Sequence, residues 1–338
     1  MTEHGTRPME ARLAEALPDG EGWQFEPKWD GFRCLAHRDG DAVTLTSKSG
    51  KPLGRYFPEV AAMLSGLRET RFLIDGELII PVGEALSFAA LQMRLHPAAS
   101  RVERLSRETP AELMLFDCLA LGGRTLADRP LAERRAALEA FHATSATPAL
   151  KLSPCTRDRE TALAWLAESG GALDGVIAKP RDRAYAPGER AMIKVKQHRT
   201  ADCAVGGFRY DRAGTRVASL LLGLHDEAGL LHHVGFTSAI PAREKAALTR
   251  RLEALIAAPG FTGDAPGGAR RWATERSADW QPLARRLVAE VRYDQVTGRR
   301  FRHGTAFLRW RPDKAPADCR FDQLQRELRP AELARILG

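Results

Sequence analysis

Residues 26–33 have the sequence EPKWDGFR, and this octapeptide is the strongest indication of fold and function in the chain. Lys28 comes at the end of a predicted strand, the Asp-Gly pair at 30–31 forms a tight turn, and Arg33 follows in the next strand. The turn therefore brings an amine and a guanidinium to one place. The chain has neither of the two common glycine-rich phosphate-binding loops, so side chains such as these must hold the phosphates of any bound nucleotide.

Lysine is scarce in this chain, where only nine of the 51 basic residues are lysine. A lysine can lose its proton and act as a nucleophile, whereas an arginine effectively cannot. The ordinary lysine pKa of about 10.4 opposes this at neutral pH unless other cations lie close. Lys194 and Lys196 alternate on one predicted strand and face the same side, and Lys179 ends another. We expect these cations, together with a divalent ion, to crowd Lys28 and make it a nucleophile.

Outward from this stretch, strands alternate with helices up to residue 198, and short strands dominate afterwards. The first region is predicted to hold a hairpin over 32–46, strands over 72–81, 112–121, 174–179 and 191–196, and helices over 57–67, 88–95, 130–141 and 160–168. The second region, with about five strands and one helix over 241–256, fits a small, partly open barrel. The predicted fold class is α+β: a domain of mixed and antiparallel sheets with helices at 1–198, followed by a β-barrel domain at 199–338.

Charge is distributed unevenly between these two regions. Residues 1–198 carry 27 basic and 27 acidic side chains, whereas residues 199–338 carry 24 basic and 16 acidic ones. The net charge of +8 therefore belongs to the second region, which predicts contact with a polyanion such as nucleic acid. A merely soluble basic surface is the alternative.

Other functional classes are disfavoured by composition. The five cysteines are scattered without a C-x-x-C pair, which argues against a disulfide framework and a structural zinc site. No apolar run suggests a membrane span or a secretory signal, so we expect a cytoplasmic protein with no membrane partner.

A series of motifs resembles the covalent nucleotidyltransferases, the superfamily of ATP-dependent DNA ligases, RNA ligases and capping guanylyltransferases. In chain order the motifs are KWDGFR (28–33), SKSG (47–50), IDGELI (74–79), LFD (115–117), DGVIAK (174–179), IKVK (193–196) and RPDK (311–314). Within the superfamily the chain looks most similar to compact, stand-alone bacterial ligases of the ligase C type. The resemblance implies an adenylation (nucleotidyltransferase) domain followed by an oligonucleotide-binding (OB) fold that contacts DNA.

The resemblance also implies a role for each residue of the nucleotide site. Lys28 becomes covalently adenylylated, Glu26 contacts the adenine, and Arg33 contacts the ribose and phosphate. Phe116 stacks on the adenine, and Arg190 lies near the nucleotide.

Further motif residues are implied to hold phosphates or metal. Glu77 would bind the ribose or the metal. Asp174 would also bind the metal, but it stands where glutamate is usual and is one methylene shorter, which favours a water-bridged contact. Lys48 replaces the usual arginine and so loses its bidentate geometry. The remaining cations are expected to contact the nucleotide, with Lys194 and Lys196 on the α-phosphate, Arg311 and Lys314 on the pyrophosphate, and Lys179 nearby.

The activity implied is ATP-dependent sealing of nicks in double-stranded DNA during repair, with Mg²⁺ or Mn²⁺ as cofactor. AMP would pass from ATP to Lys28, then to the 5′-phosphate, and would leave when the 3′-hydroxyl attacks. We expect a monomer with a hinge at 197–200, served by repair or end-joining proteins. An RNA ligase or a capping guanylyltransferase would use the same lysine chemistry, and an inactive basic nucleic-acid-binding module is a more distant alternative.

Overall fold

The structure, a computed structural model, describes most of the chain as two compact units, one within residues 6–196 and the other within residues 199–324. The described ranges are 6–82, 85–145, 147–168, 173–196, 199–267, 279–294, 296–302 and 304–324. The first two residues of the predicted hinge, 197 and 198, lie outside them. Within these ranges no helix has both the length and the apolar character that crossing a membrane requires.

Strands and helices alternate in the first unit. Its described strands are β1 (Ala11–Ala14), β2 (Trp23–Trp29), β3 (Phe32–Asp39), β4 (Ala42–Ser47), β5 (Arg71–Ile79), β6 (Pro81–Val82), β7 (Ala85–Leu86), β8 (Glu112–Leu121), β9 (Arg124–Thr125), β10 (Leu150–Leu152), β11 (Leu173–Pro180) and β12 (Met192–Val195). Its described helices are α1 (Pro58–Ser65), α2 (Phe88–Arg94), α3 (Ala99–Glu108), α4 (Leu131–Ser145) and α5 (Arg159–Glu168).

Two larger sheets form the body of this unit. One has the strand order β1-β12-β11-β2, and the other has the order β10-β8-β5-β3-β4 with β9 beside β8. The pairs β1–β12 and β8–β10 are parallel, and the other pairs are antiparallel. Helix α1 buries Val60 and Leu64, and α4 buries Leu138 and Phe141, in a core shared with the second sheet. These residues recur at three- and four-residue spacing, which gives each helix one apolar face.

Two glycines allow the chain to pack closely around Lys28. A Cβ atom on Gly31 would lie 2.2 Å from the carbonyl oxygen of Leu78. Gly175 has φ +128°, and a Cβ there would lie 2.1 Å from the carbonyl oxygen of Val195. Only glycine avoids these clashes, and only glycine readily adopts this φ. The β2–β3 turn and the irregular start of β11 therefore approach neighbouring backbone more closely than other residues would permit.

The second unit is an OB-type barrel. Its described elements are β13 (Arg199–Tyr210), β14 (Val217–His225), β15 (Leu231–Thr237), α6 (Lys245–Glu253), β16 (Gln281–Pro282), β17 (Val288–Tyr293), β18 (Val296–Thr297), β19 (Arg300–Phe301) and β20 (Ala306–Trp310). The main sheet runs β15-β14-β13-β17-β20. A bridge between Thr237 and Thr305 joins its two edges, and the Thr237 hydroxyl donates to the Thr305 carbonyl at 2.9 Å. The α+β fold class with a C-terminal barrel is confirmed.

The secondary structure differs from the sequence predictions in several details, among them the short strands β9 and β10, which the sequence did not predict. Helix α3 is not predicted, because among its ten residues only Ala99, Val102 and Leu105 are hydrophobic. Strand β1 is not predicted either, since it is only four residues long and its two central side chains are exposed. The predicted helix 241–256 is shorter, because 242–244 form a 3₁₀ turn before α6 begins.

Candidate active site

A cleft of about 250 Å³ opens on the first unit where both sheets and the segment before β1 meet. Eight of the residues proposed from the sequence line it: Glu26, Lys28, Arg33, Lys48, Glu77, Phe116, Lys179 and Lys194. The other lining residues are Pro8, Met9, Glu10, Ala11, Pro27, Trp29, Ile177 and Met192. Strand pairing explains the convergence, because Glu26 lies opposite Ile177 in β11 and Arg33 lies opposite Glu77 in β5.

Lys28 lies near the lysines that the sequence predicted as its neighbours, but it also forms a salt bridge with a carboxylate. Its ammonium donates to Asp174, and Lys196 Nζ lies 3.1 Å from the same carboxylate oxygen. Burial alone would raise the pKa of Asp174, but Lys28 and Lys196 outweigh it and lower that pKa. The pKa of Lys194 is lowered by burial and by Lys28, Lys196 and Lys48. Three lysines and one carboxylate therefore share this end of the cleft.

Glu26 and Lys179 form a buried ion pair at the other end. Lys179 Nζ donates to Glu26 Oε2 at 2.7 Å and to the Phe116 carbonyl at 3.2 Å. Gln24 donates to the other Glu26 oxygen at 2.8 Å. The Lys179 amine lies 4.8 Å from the centre of the Phe116 ring, and the Arg33 guanidinium carbon lies 4.6 Å from it. The structure thus places the residues expected to contact adenine side by side, with cations against the aromatic ring.

A buried hydrogen-bond network that the sequence reasoning missed fixes Arg33. The guanidinium donates twice to Asp75, and it donates to the Met9 carbonyl at 3.3 Å. Tyr185 donates its hydroxyl to Asp75 at 2.6 Å and accepts the Met9 amide at 2.7 Å. Asp75 could have been suggested from the sequence, because it belongs to the IDGELI motif. Met9 and Tyr185 gave none, because only the fold brings them together.

Glu77 is the carboxylate of the cleft that best fits a divalent cation. Burial raises its pKa to about 7, although the Arg33 and Lys28 charges oppose that shift. Among the described residues no donor forms a hydrogen bond to it. A half-buried carboxylate without donors is costly unless a cation binds it. The described residues hold no cluster of three metal-ligating side chains, which is compatible with Mg²⁺, an ion usually bound by one or two carboxylates, substrate phosphates and water.

Two predicted cations lie near Glu10, which lines the cleft. Lys48 is exposed, and its amine lies 3.1 Å from the carboxylate of Glu10. This hydrogen bond, with further help from Arg190 and Lys194, lowers the pKa of Glu10. Arg190 is exposed. Glu10 is another residue that the sequence did not suggest, since it stands in a segment with no recognised motif.

Arg311 and Lys314 belong to the second unit. Arg311 Nη1 lies 3.0 Å from both carboxylate oxygens of Asp202, and Lys314 Nζ lies 3.0 Å from one of them. Arg311 also donates to Asp313. The Asp202 hydrogen bond raises the pKa of Lys314. The sequence gave no indication that Asp202 joins these two cations.

Comparison with known proteins identifies the family. The family model described as ATP dependent DNA ligase domain matches residues 8–196, and that of the ATP dependent DNA ligase C terminal region matches residues 213–314. The chain belongs to the ATP-dependent DNA ligases. The predictions of a ligase enzyme, of ATP as its nucleotide and of the DNA ligase branch of the superfamily are thereby confirmed.

Individual relatives agree with this family. DNA ligase C2 of Mycolicibacterium smegmatis is 46% identical over 334 residues, which cover 94% of this chain and 93% of the relative. The multifunctional non-homologous end joining DNA repair protein LigD of Mycobacterium tuberculosis is 31% identical over 300 residues, covering 88% of this chain and 37% of that longer protein. A solved Lig E DNA ligase shares the fold, with a TM-score of 0.52 at 16% identity over 89% of this chain and 99% of that one. The ligase thus resembles the stand-alone ligase C proteins along nearly its whole length.

Proposed function

We propose that this ligase seals nicks in double-stranded DNA through an AMP group carried covalently on Lys28. The observation that carries the proposal is the position of the Lys28 amine, which lies in the cleft beside Asp174 and Lys196. A nucleophilic lysine needs neighbouring cations to offset charge on the phosphate, and Lys194 and Lys196 are suited to that role.

In the first transfer the neutral Lys28 amine attacks the α-phosphorus of ATP. The N–P bond forms, the amine proton is lost to solvent, and pyrophosphate leaves with the electron pair of the broken P–O bond. Lys28 donates to Asp174, so this contact has to break before the amine can attack.

Other residues of the cleft orient the nucleotide. Glu26 and Lys179 are proposed to contact the adenine beside Phe116, while Arg33, fixed by Asp75, contacts the ribose and phosphate. Lys48 lines the cleft and Arg190 lies near Glu10, so both would attract a bound polyphosphate.

Glu77 is proposed to hold Mg²⁺ or Mn²⁺, with Asp174 contacting it through water once freed from Lys28. When bound, the ion would offset negative charge on the phosphate oxygens. Glu77 supplies an oxygen ligand without competing donors, so its loss should weaken metal binding more than loss of Asp174.

The second unit is proposed to grip the DNA duplex and to supply Arg311 and Lys314 for the departing pyrophosphate. Residues 199–338 carry 24 basic and 16 acidic side chains, an excess that suits a phosphate backbone. The domain boundaries 1–198 and 199–338 and the hinge at 197–200 remain predictions, as does the monomeric state. The LigD relative is named as a DNA repair protein, which supports a role in DNA repair, where repair or end-joining proteins would recruit this ligase.

Mass spectrometry tests the nucleophile directly. After incubation with ATP and Mg²⁺, the protein should gain one AMP, and peptide mapping should place it on Lys28. Lys28→Arg keeps the charge but cannot become a neutral nucleophile at working pH, so it should carry no adduct. Lys51→Arg, at an exposed position, is the matched control and should be labelled normally. An adduct that persists in Lys28→Arg contradicts the assignment, and faster sealing of nicked RNA duplex than of nicked DNA contradicts the substrate.

A further inference from the structure

One carboxylate in the second unit joins the two cations that are proposed to receive pyrophosphate. Arg311 Nη1 and Lys314 Nζ each lie 3.0 Å from Asp202 Oδ2. Because both nitrogens lie at that distance from a single oxygen, they are at most twice 3.0 Å, or about 6 Å, apart. A single pyrophosphate, with charged oxygens on two linked phosphorus atoms, can contact two cations at this spacing.

The position of the Asp202 carboxylate is fixed from two directions. Asp202 lies in β13, opposite Glu290 in β17. In addition, its amide donates to Gln323 Oε1 at 2.8 Å, and its carbonyl accepts Gln323 Nε2 at 2.9 Å. The side chain is only 13% exposed. Asp202 is therefore a rigid acceptor, whereas the long side chains that it holds have many rotamers of their own.

Neighbouring carboxylates do not duplicate this role. Glu290 accepts Arg309 at 2.6 Å and lies 3.9 Å from Arg311. Asp313, which is 61% exposed, accepts other nitrogens of Arg311. Within the described part of the chain, Asp202 is the carboxylate that contacts both Arg311 and Lys314. If it were lost, the two like charges would repel each other and lose their common anchor.

We propose that Asp202 is a positioning residue for lysine adenylylation, because it holds Arg311 and Lys314 side by side so that one pyrophosphate group can contact both. This inference rests on the proposed function of the two cations. Asp202 acts through them and does not touch the substrate. Its contribution is preorganisation, since donors that are already aligned need not be ordered as charge develops on the leaving group. Nick sealing releases no pyrophosphate and should not depend on Asp202.

The test is Asp202→Asn, which keeps the shape but removes the charge. Three rates are measured on purified full-length protein: formation of the AMP adduct from ATP, its reversal by added pyrophosphate, and sealing of a nick that already carries 5′-AMP. Adduct formation should fall about 10- to 100-fold, the loss expected when charge-assisted contacts to a leaving group are misaligned. The KM for pyrophosphate in the reverse reaction should rise by a similar factor. Sealing of the adenylylated nick should stay within about twofold of the unmodified protein.

Glu290→Gln is the matched control, because Glu290 lies opposite Asp202, is similarly buried and does not contact Lys314. It should change all three rates by less than about twofold. Asp202→Glu should recover part of the adduct rate, since a carboxylate can again accept both cations. If Asp202→Asn fails to fold, Gln323→Ala tests the same idea by loosening the anchor, and it should slow adduct formation selectively but less strongly.

Three results would overturn the inference. Equal losses in adduct formation and in sealing would show a general structural role. An unchanged adduct rate would show no role, and a faster one would show that Asp202 competes with pyrophosphate for the cations. Failure of the proposed function looks different, because the unmodified protein would then form no adduct on Lys28 from ATP.

Discussion

Glu77→Gln should make the metal-free protein more stable at alkaline pH, although it removes a residue of the active site. The structure raises the pKa of this carboxyl from 4.5 to about 7, mainly through burial. A tenfold change in a protonation equilibrium corresponds to about 1.4 kcal/mol, so an ionised Glu77 costs the fold about 3.5 kcal/mol above pH 7. Glutamine has almost the same shape and no charge, so it avoids this cost.

The sign of the pH dependence follows from the raised pKa. Below about pH 4.5 the carboxyl is protonated in the folded and unfolded states alike, and its stability contribution is fully present there. That contribution is lost as pH rises through 7, where only the unfolded chain ionises without penalty. The stability gain from Glu77→Gln should therefore be small at pH 5 and reach its full size at pH 8.

Thermal unfolding with a metal chelator present measures this difference. At pH 8 the midpoint of the first unit should rise by roughly 7 to 14 °C in Glu77→Gln, and at pH 5 by a small fraction of that. Glu15→Gln, at an exposed position, is the control and should not shift the midpoint at either pH. Equal midpoints for Glu77→Gln and the unmodified protein at pH 8, or a gain that is the same at both pH values, would refute the reasoning.

Three further predictions concern different parts of the molecule. Lys314→Ala should slow self-adenylylation about 100-fold and leave sealing of a pre-adenylylated nick intact, and parallel single-turnover assays would expose an equal loss in both. Gly175→Ala should lower the free energy of unfolding by more than about 3 kcal/mol in denaturant titrations, because the added Cβ would lie 2.1 Å from a β12 carbonyl oxygen; a normal midpoint would contradict this. Arg134→Met should lower the free energy of unfolding by about 3 to 5 kcal/mol, because it leaves the buried Asp117 carboxylate without its ion-pair partner. Adding Asp117→Leu should restore much of that stability. No recovery in the double variant would count against a charge effect.

Much of the fold could be predicted locally. The strand prediction 112–121 coincides with β8, and the predicted hairpin at 32–46 corresponds to β3 and β4, although their turn is at Gly40 and Asp41, one residue later than the predicted Asp39-Gly40 turn. Such elements are readable because alternating or continuous apolar runs report burial directly. Helix α3 was not predicted, because most of its residues are polar and show little apolar periodicity. Which strands become neighbours was not readable, since a pattern of apolar residues does not specify a pairing partner.

The chemical groups available to this ligase can be read from residue types and local spacing: a lysine in EPKWDGFR, cations and carboxylates in later motifs, and positive charge concentrated after residue 198. Which of these groups come into contact depends on the three-dimensional packing of the chain. Asp174 lies 146 residues from the Lys28 that it binds, and Asp202 lies 109 residues from Arg311. Such pairs depend on strand register and close backbone approach, which arise only when the whole chain packs.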